Sequence, residues 1–150
     1  TFPEIFSNEI ADPDLIEDFG AIPSSRLLQF HLDGTYDDLT GTDDVEDASP
    51  VYSPDGDTLA FGRKFLDIAN WTPGRQMWLI QPGGEESAKL TDAPQYNHYD
   101  FAWHPDGNRL AYSRFNKDLL TNPPEIWLVN ADGTEPILLV MGGYAPQWIP

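Results

Sequence analysis

The chain has 150 residues, 40% of them apolar and 13% aromatic, which is too apolar for a disordered chain and long enough for a sizeable core. It contains no cysteine, which excludes disulfides and thiolate metal sites. The net charge of −17 is unevenly spread: residues 1–60 hold 15 acidic groups with Arg26 as their only base, whereas residues 61–150 hold 10 acidic and 7 basic groups. Such a field repels phosphate backbones and argues against nucleic acid as a partner; a cation or a basic protein surface is its natural counterpart. No apolar run approaches the roughly 18 residues of a membrane span. Residue 1 is Thr and the stretch after it is acidic, so no secretory signal is visible.

In chain order, residues 1–25 form an acidic segment or a degenerate piece of the pattern that follows, with a weak helical period at 9–19. From residue 26 a repeat takes over. Residues 49–63, SPVYSPDGDTLAFGR, return at 100–114 as DFAWHPDGNRLAYSR, and the first element of a third copy appears at 145–150. Pro54, Asp55, Gly56, Leu59, Ala60 and Arg63 recur as Pro105, Asp106, Gly107, Leu110, Ala111 and Arg114. A second element recurs in step. Met77-Trp78-Leu79-Ile80 returns as Ile126-Trp127-Leu128-Val129, each copy followed by a glycine turn, and Leu28–Gly34 is an earlier version.

Asp-Gly after Pro marks a hairpin turn, and the flanking runs are β-branched and aromatic. The pattern predicts strands at 48–53, 58–64, 75–81 and 86–91, then at 99–104, 109–115, 125–130 and 136–140. Four antiparallel strands in tandem make a propeller blade, so the expected class is all-β. The expected layout is a partial propeller: a partial blade at 26–40, full blades at 48–91 and 99–140, and the start of another blade at 145–150. Trp148, matching Trp103, is expected to pack on the blade before it. The expected partners are a protein, or further copies or segments that complete the ring, because this number of blades closes none.

The repeat resembles that of the TolB-type propeller family, whose first strand ends in Trp-Ser-Pro-Asp-Gly before a Leu/Ile-Ala-Phe strand. The resemblance runs from Arg26 to Pro150, with His104 and Ile149 where that family has Ser, and Tyr52 where it has Trp. It implies the fold, and function only loosely.

Tight turns fall at one end of the blades. The long segments Leu66–Gly74, Asn116–Pro124, Thr40–Ala48 and Thr91–His98 fall at the other, where binding is expected. Asp37, Asp38, Asp43, Asp44, Glu46 and Asp47 crowd one of these. A solvated, mutually repelling loop is the plain reading; a calcium site at Asp43, Asp44, Glu46 and Asp47 or a contact for a basic partner are the sharper ones, although the spacing is not that of an EF-hand. Tyr96, Asn97 and His98 stand just before an innermost strand, and some polysaccharide-lyase relatives of the repeat place a metal-binding His there. Trp71 lies in a long loop outside the repeat and is the candidate for ligand stacking. Trp78, Trp103, Trp127 and Trp148 occupy repeat positions and read as packing, while Arg63 and Arg114 read as a repeated structural ion pair.

No nucleophile elbow, His-Glu-x-x-His or phosphate-cradling loop is present. The chain therefore reads as a non-catalytic binding scaffold, periplasmic or extracellular. The alternative is an accessory propeller segment of a hydrolase or lyase, of the prolyl-oligopeptidase or polysaccharide-lyase type, with its catalytic residues elsewhere.

Overall fold

The computed structural model describes residues 24–83 and 86–149, together with the backbone of the strand at 5–9. The weak helical period at 9–19 and the final Pro150 lie almost wholly outside the described residues. Every regular element described is a strand. These are β1 (Ile5–Glu9), β2 (Ser25–Phe30), β3 (Tyr36–Asp38), β4 (Val45–Tyr52), β5 (Leu59–Phe65), β6 (Gln76–Ile80), β7 (Ser87–Lys89), β8 (Tyr96–Trp103), β9 (Arg109–Asn116), β10 (Glu125–Asn130) and β11 (Ile137–Met141).

Two full blades are present, β4-β5-β6-β7 and β8-β9-β10-β11, each an antiparallel meander. Before them, β1 and β3 flank β2, both antiparallel to it, and β2 touches β4 through one parallel bridge at Ser25 and Glu46. The partial propeller expected from the repeats is the architecture observed.

The turns form as their residues require. In the first hairpin Gly56 N–H donates to the Ser53 carbonyl at 2.9 Å and Ser53 N–H to that of Thr58 at 2.7 Å. The second repeats this with Gly107, His104 and Arg109. Only the glycines take positive φ, 80° at Gly56 and 73° at Gly107; Asp55 and Asp106 instead accept the backbone N–H two residues on.

One expectation is corrected. The first strand of each full blade begins at Val45 and Tyr96, three residues before the predicted 48 and 99. The cause is a bulge: the register slips between Ala48 and Val51, and again between Tyr99 and Ala102. Ser49 (φ 55°) and Asp100 (φ 53°), one repeat apart, take the left-handed conformation that bends the strand without ending it. Residues that read as loop therefore belong to the sheet.

The core lies between blades. Ala60, Met77, Phe101, Trp103, Leu110, Tyr112 and Val129 join the two full blades, with Trp127 packed on them. Leu27, Leu39, Leu59, Phe61 and Ile80, with Tyr52 and Trp78, join β2 and β3 to the blade after them. Trp103 also donates its indole N–H to the Val51 carbonyl at 3.1 Å, tying the inner strand β8 to β4. Trp148 does the same to Ala102, at 3.1 Å, and its ring stands edge-on to His104 at 4.4 Å. The expected packing of Trp148 is met, but 145–149 is not a hydrogen-bonded strand.

Candidate functional site

The long-loop end is built on a framework of buried polar contacts. Gly74 lies so close to the Tyr96 backbone that a Cβ would collide with it. Its N–H donates to the Pro94 carbonyl at 3.1 Å, while the buried Gln76 amide donates to Ala93 and accepts from it. Arg75 N–H reaches the Asn97 side chain at 3.1 Å, and Lys117 N–H reaches the Gln95 carbonyl. These bonds join the loops 66–75, 90–95 and 117–124 into one surface. Asp67 caps the turn at Ala69 and Asn70, as Asn116 does at Asp118 and Leu119.

Large apolar side chains crown this framework. Ile68 is 99% exposed, Trp71 52%, Leu119 53% and Leu120 73%, on two loops that occupy equivalent places in their blades. Trp71, the expected stacking residue, has the Lys64 ammonium 5.1 Å from its ring centroid. Beside it a cleft of about 300 Å³ opens between Phe65, Asn70, Thr72, Trp78, Lys89 and Asp92. The apolar tips carried no signal in the repeat, because they fall outside it.

The acidic residues are dispersed among several partners. Asp47, wholly buried on β4, forms a two-pronged pair with Arg63, Nε to Oδ1 at 2.8 Å and an Nη to Oδ2 at 2.7 Å. Arg63 also donates to Ser87 and to the Thr40 carbonyl. Glu46 pairs with Arg75, and Asp43 with Arg26, which also holds Asp38 at 2.7 Å. Asp37 meets the His31 ring at 2.8 Å, and Asp44 stays exposed at positive φ. Among the described residues, no three carboxylate or imidazole groups converge as a metal site would require. Glu46 and Asp47 sit in a strand whose successive side chains point to opposite faces, and each is paired with a different arginine. Burial pushes the Asp47 carboxyl up, against the pull of Arg63.

Tyr96, Asn97 and His98 form the start of β8. His98 is 1% exposed; its Nδ1 donates to the Arg75 carbonyl at 2.8 Å, its ring lies 5.5 Å from that of Tyr112, and its Nε2 has no partner. Burial lowers its pKa to about 4, so the ring is neutral at pH 7. Tyr96 instead stacks on Arg114, whose guanidinium carbon lies 4.0 Å from the Tyr96 centroid and 4.0 Å from that of Trp127. Arg114 Nε donates to Glu125 at 2.7 Å, and Trp127 Nε1 to the same oxygen at 2.6 Å. The repeated arginine is thus a structural ion pair in both blades. The three candidates line one inner strand, but only Tyr96 and Asn97 remain partly accessible.

No family model matches the sequence, and no curated protein matches it. Solved structures do. A putative TolB from Agrobacterium tumefaciens is 20% identical, with a TM-score of 0.63 over 81% of this chain and 44% of that one. The chain has the TolB-like propeller fold. A chain of a nidogen–laminin complex shares it at 19% identity and TM-score 0.57, over 79% of this chain and 40% of the other. So does an oligogalacturonate lyase solved in complex with manganese, at 25% identity and TM-score 0.53, over 78% and 30%. This TolB-like chain spans less than half the length of these structures.

Proposed function

We propose that the chain is a non-catalytic propeller scaffold that binds a protein partner through its long-loop end, in the cell envelope or outside the cell. The observation that carries this reading is the set Ile68, Trp71, Leu119 and Leu120, exposed on loops that the Gln76 and Asn116 contacts hold in shape. Exposed apolar groups on a rigid support cost little entropy to bury against a partner. The test compares the chain with an I68D/L120D variant and with N108D, which alters the tight-turn end. Each is used to capture partners from an extract of the source organism after circular dichroism has shown the fold unchanged. A partner retained by N108D and lost by I68D/L120D supports the reading; one retained by both removes the loop end as the binding surface.

A second reading makes the chain an accessory propeller segment of a hydrolase or lyase. Its support is the 25% identity with the lyase structure across most of this chain. A catalytic domain in the same reading frame would favour it over the first.

A further inference from the structure

The cleft beside Trp71 follows the repeat in one half of its lining and departs from it in the other. Its floor is Arg63 and Gln76, and its walls are Phe65 and Trp78, whose rings meet edge to face with centroids 5.8 Å apart. Arg63, Gln76 and Trp78 have counterparts of the same character in the next blade, Arg114, Glu125 and Trp127. Phe65 and Lys89 do not, because strand pairing sets Asn116 and Leu138 at their places. The side chains that a blade needs for its own packing recur. Those that give the cleft its aromatic wall and its charge belong to one blade and not to the next.

The floor asks for no ligand. Arg63 is spent on Asp47, Ser87 and the Thr40 carbonyl, and the Gln76 amide on Ala93. The rim has capacity left. Lys89 gives one of its three N–H groups to Asp92 Oδ1 at 2.8 Å, which leaves two donors on the ammonium and the second oxygen on the carboxylate. These side chains are 42% and 76% exposed, so both can turn to a ligand. Thr72 donates its hydroxyl to the Gly74 carbonyl and keeps its lone pairs. The rim therefore balances one cation with one anion, in a chain of net charge −17. It suits a neutral group with a donor and an acceptor close together better than it suits an ion. The N–H and C=O of one residue in an extended segment make such a group.

We propose that the cleft seats one aromatic side chain of the protein partner, with the backbone of that residue lying across the rim; this rests on the reading that the long-loop end binds a partner. The ring enters between Phe65 and Trp78, the carbonyl accepts from Lys89, and the N–H donates to Asp92. At about 300 Å³ the cleft is at the small end of ligand cavities, with room for a single large side chain and not for a folded element. Ring walls favour an aromatic guest through edge-to-face and offset contacts. Aromatic anchors seated in pockets of this kind carry much of the energy of an interface. Ile68 and Trp71 stand on the loop that brings Asn70 and Thr72 to the cleft. An anchor held there sets the neighbouring residues of the partner against those exposed side chains.

The experiment uses the 150-residue chain and N-acetyl-L-tryptophanamide, an indole on a neutral backbone, as the probe, with N-acetyl-L-alaninamide as the control. In an NMR titration the probe should shift the Trp78 indole N–H and the backbone amides of Phe65, Lys89 and Asp92. The shifts should saturate, with a dissociation constant in the millimolar range of a fragment, and the control should cause none. Lys89→Leu, which sets at this place the residue type of Leu138, should weaken the probe about five-fold, the value of one hydrogen bond. It should also reduce capture of the partner, with the circular dichroism spectrum unchanged. Asp92→Ala, at an exposed position, should give the same losses if Lys89→Leu does not fold. I68D/L120D should lose the partner and still bind the probe, since neither residue lines the cleft. Shifts that scatter over the surface or fail to saturate would overturn the proposal. So would a partner captured equally by Lys89→Leu and by the unmutated chain, a result that leaves the exposed loop tips standing as the binding surface.

Discussion

The two full blades carry the same arginine and solve its charge differently. In the blade of β4–β7, Asp47, Arg63 and Gln76 stand side by side across the first three strands; in that of β8–β11 the matching residues are His98, Arg114 and Glu125. The carboxylate has moved from the first strand to the third. Where it sits on the first strand, the pair is almost fully buried and Arg63 also grips the Thr40 carbonyl of the preceding partial blade. Where it sits on the third, Arg114 and Glu125 are each 14% exposed, and the guanidinium lies between Tyr96 and Trp127. The first position is left to a histidine that must stay neutral. A repeat can thus conserve a cation while its partner migrates to another strand.

The largest expected effect separates the two solutions. Asp47→Ala leaves Arg63 buried without its counter-charge and should cost roughly 3–5 kcal/mol in a urea titration. Glu125→Ala leaves a cation that still stacks on two rings and reaches some solvent, so roughly 1–3 kcal/mol is expected. Equal losses would mean that the blades do not differ as their burial indicates.

The next effect belongs to His98. Its pKa is about 4 in the folded chain against 6.5 for the free side chain, because burial opposes the charge and Arg114 adds repulsion. Arg75, Tyr96, Glu125 and Tyr112 also bear on it. The folded state then binds fewer protons than the unfolded one across this window. Stability is full above pH 6.5 and should fall as pH drops, by roughly 3 kcal/mol at pH 4. The depressed carboxyls of Asp33, Asp55, Asp106 and Asp132 add a loss of the same sign that sets in only below about pH 5, and the raised Asp47 acts in the opposite sense. His98→Asn keeps a donor for the Arg75 carbonyl and removes the titration. Urea midpoints should lose their slope between about pH 6.5 and 5, where the carboxyls add little; an unchanged slope there would assign it to other groups.

Much of this was legible in the sequence, and the failures have a common cause. Local signals placed the strands well: Pro-Asp-Gly located both hairpins, and the Trp78 and Trp127 segments located the third strands. The early starts at Val45 and Tyr96 were hidden because the bulges use Ser49 and Asp100 instead of glycine, and because Val45–Ala48 reads as an acidic loop. The carboxylates stand close to one another along the chain. Their actual partners are distant: Asp47 finds Arg63, Glu46 finds Arg75 and Asp43 finds Arg26. Such pairings depend on strand register, which a single sequence shows only where a repeat exposes it. Aligning Arg63 with Arg114 exposed the cation but not the migration of its partner. Thr40 and Thr91 were also missed. Each accepts a backbone N–H at the end of its blade, from Leu27 and Met77, and the shared Leu-Thr dipeptide was the available signal.

The smallest expected effect tests how each arginine is held. Arg114 lies 4.0 Å from the centroids of both Tyr96 and Trp127, whereas Arg63 lies 5.0 Å from Phe61 and 5.6 Å from Trp78. Attraction to an aromatic face weakens with distance, and Arg63 already has Asp47, Thr40 and Ser87 as acceptors. A double-mutant cycle with Y96L and R114Q should therefore give a coupling of about 1 kcal/mol, and one with F61L and R63Q clearly less. Both cycles delete an aromatic ring and the arginine on the second strand of a blade, so the difference between them cancels much of the cost of losing the charge. Urea unfolding of the unmutated chain and the six variants supplies the couplings. A Phe61–Arg63 coupling as large as that of Tyr96–Arg114 would show that stacking holds both arginines alike, and that the blades differ only in where the carboxylate lies.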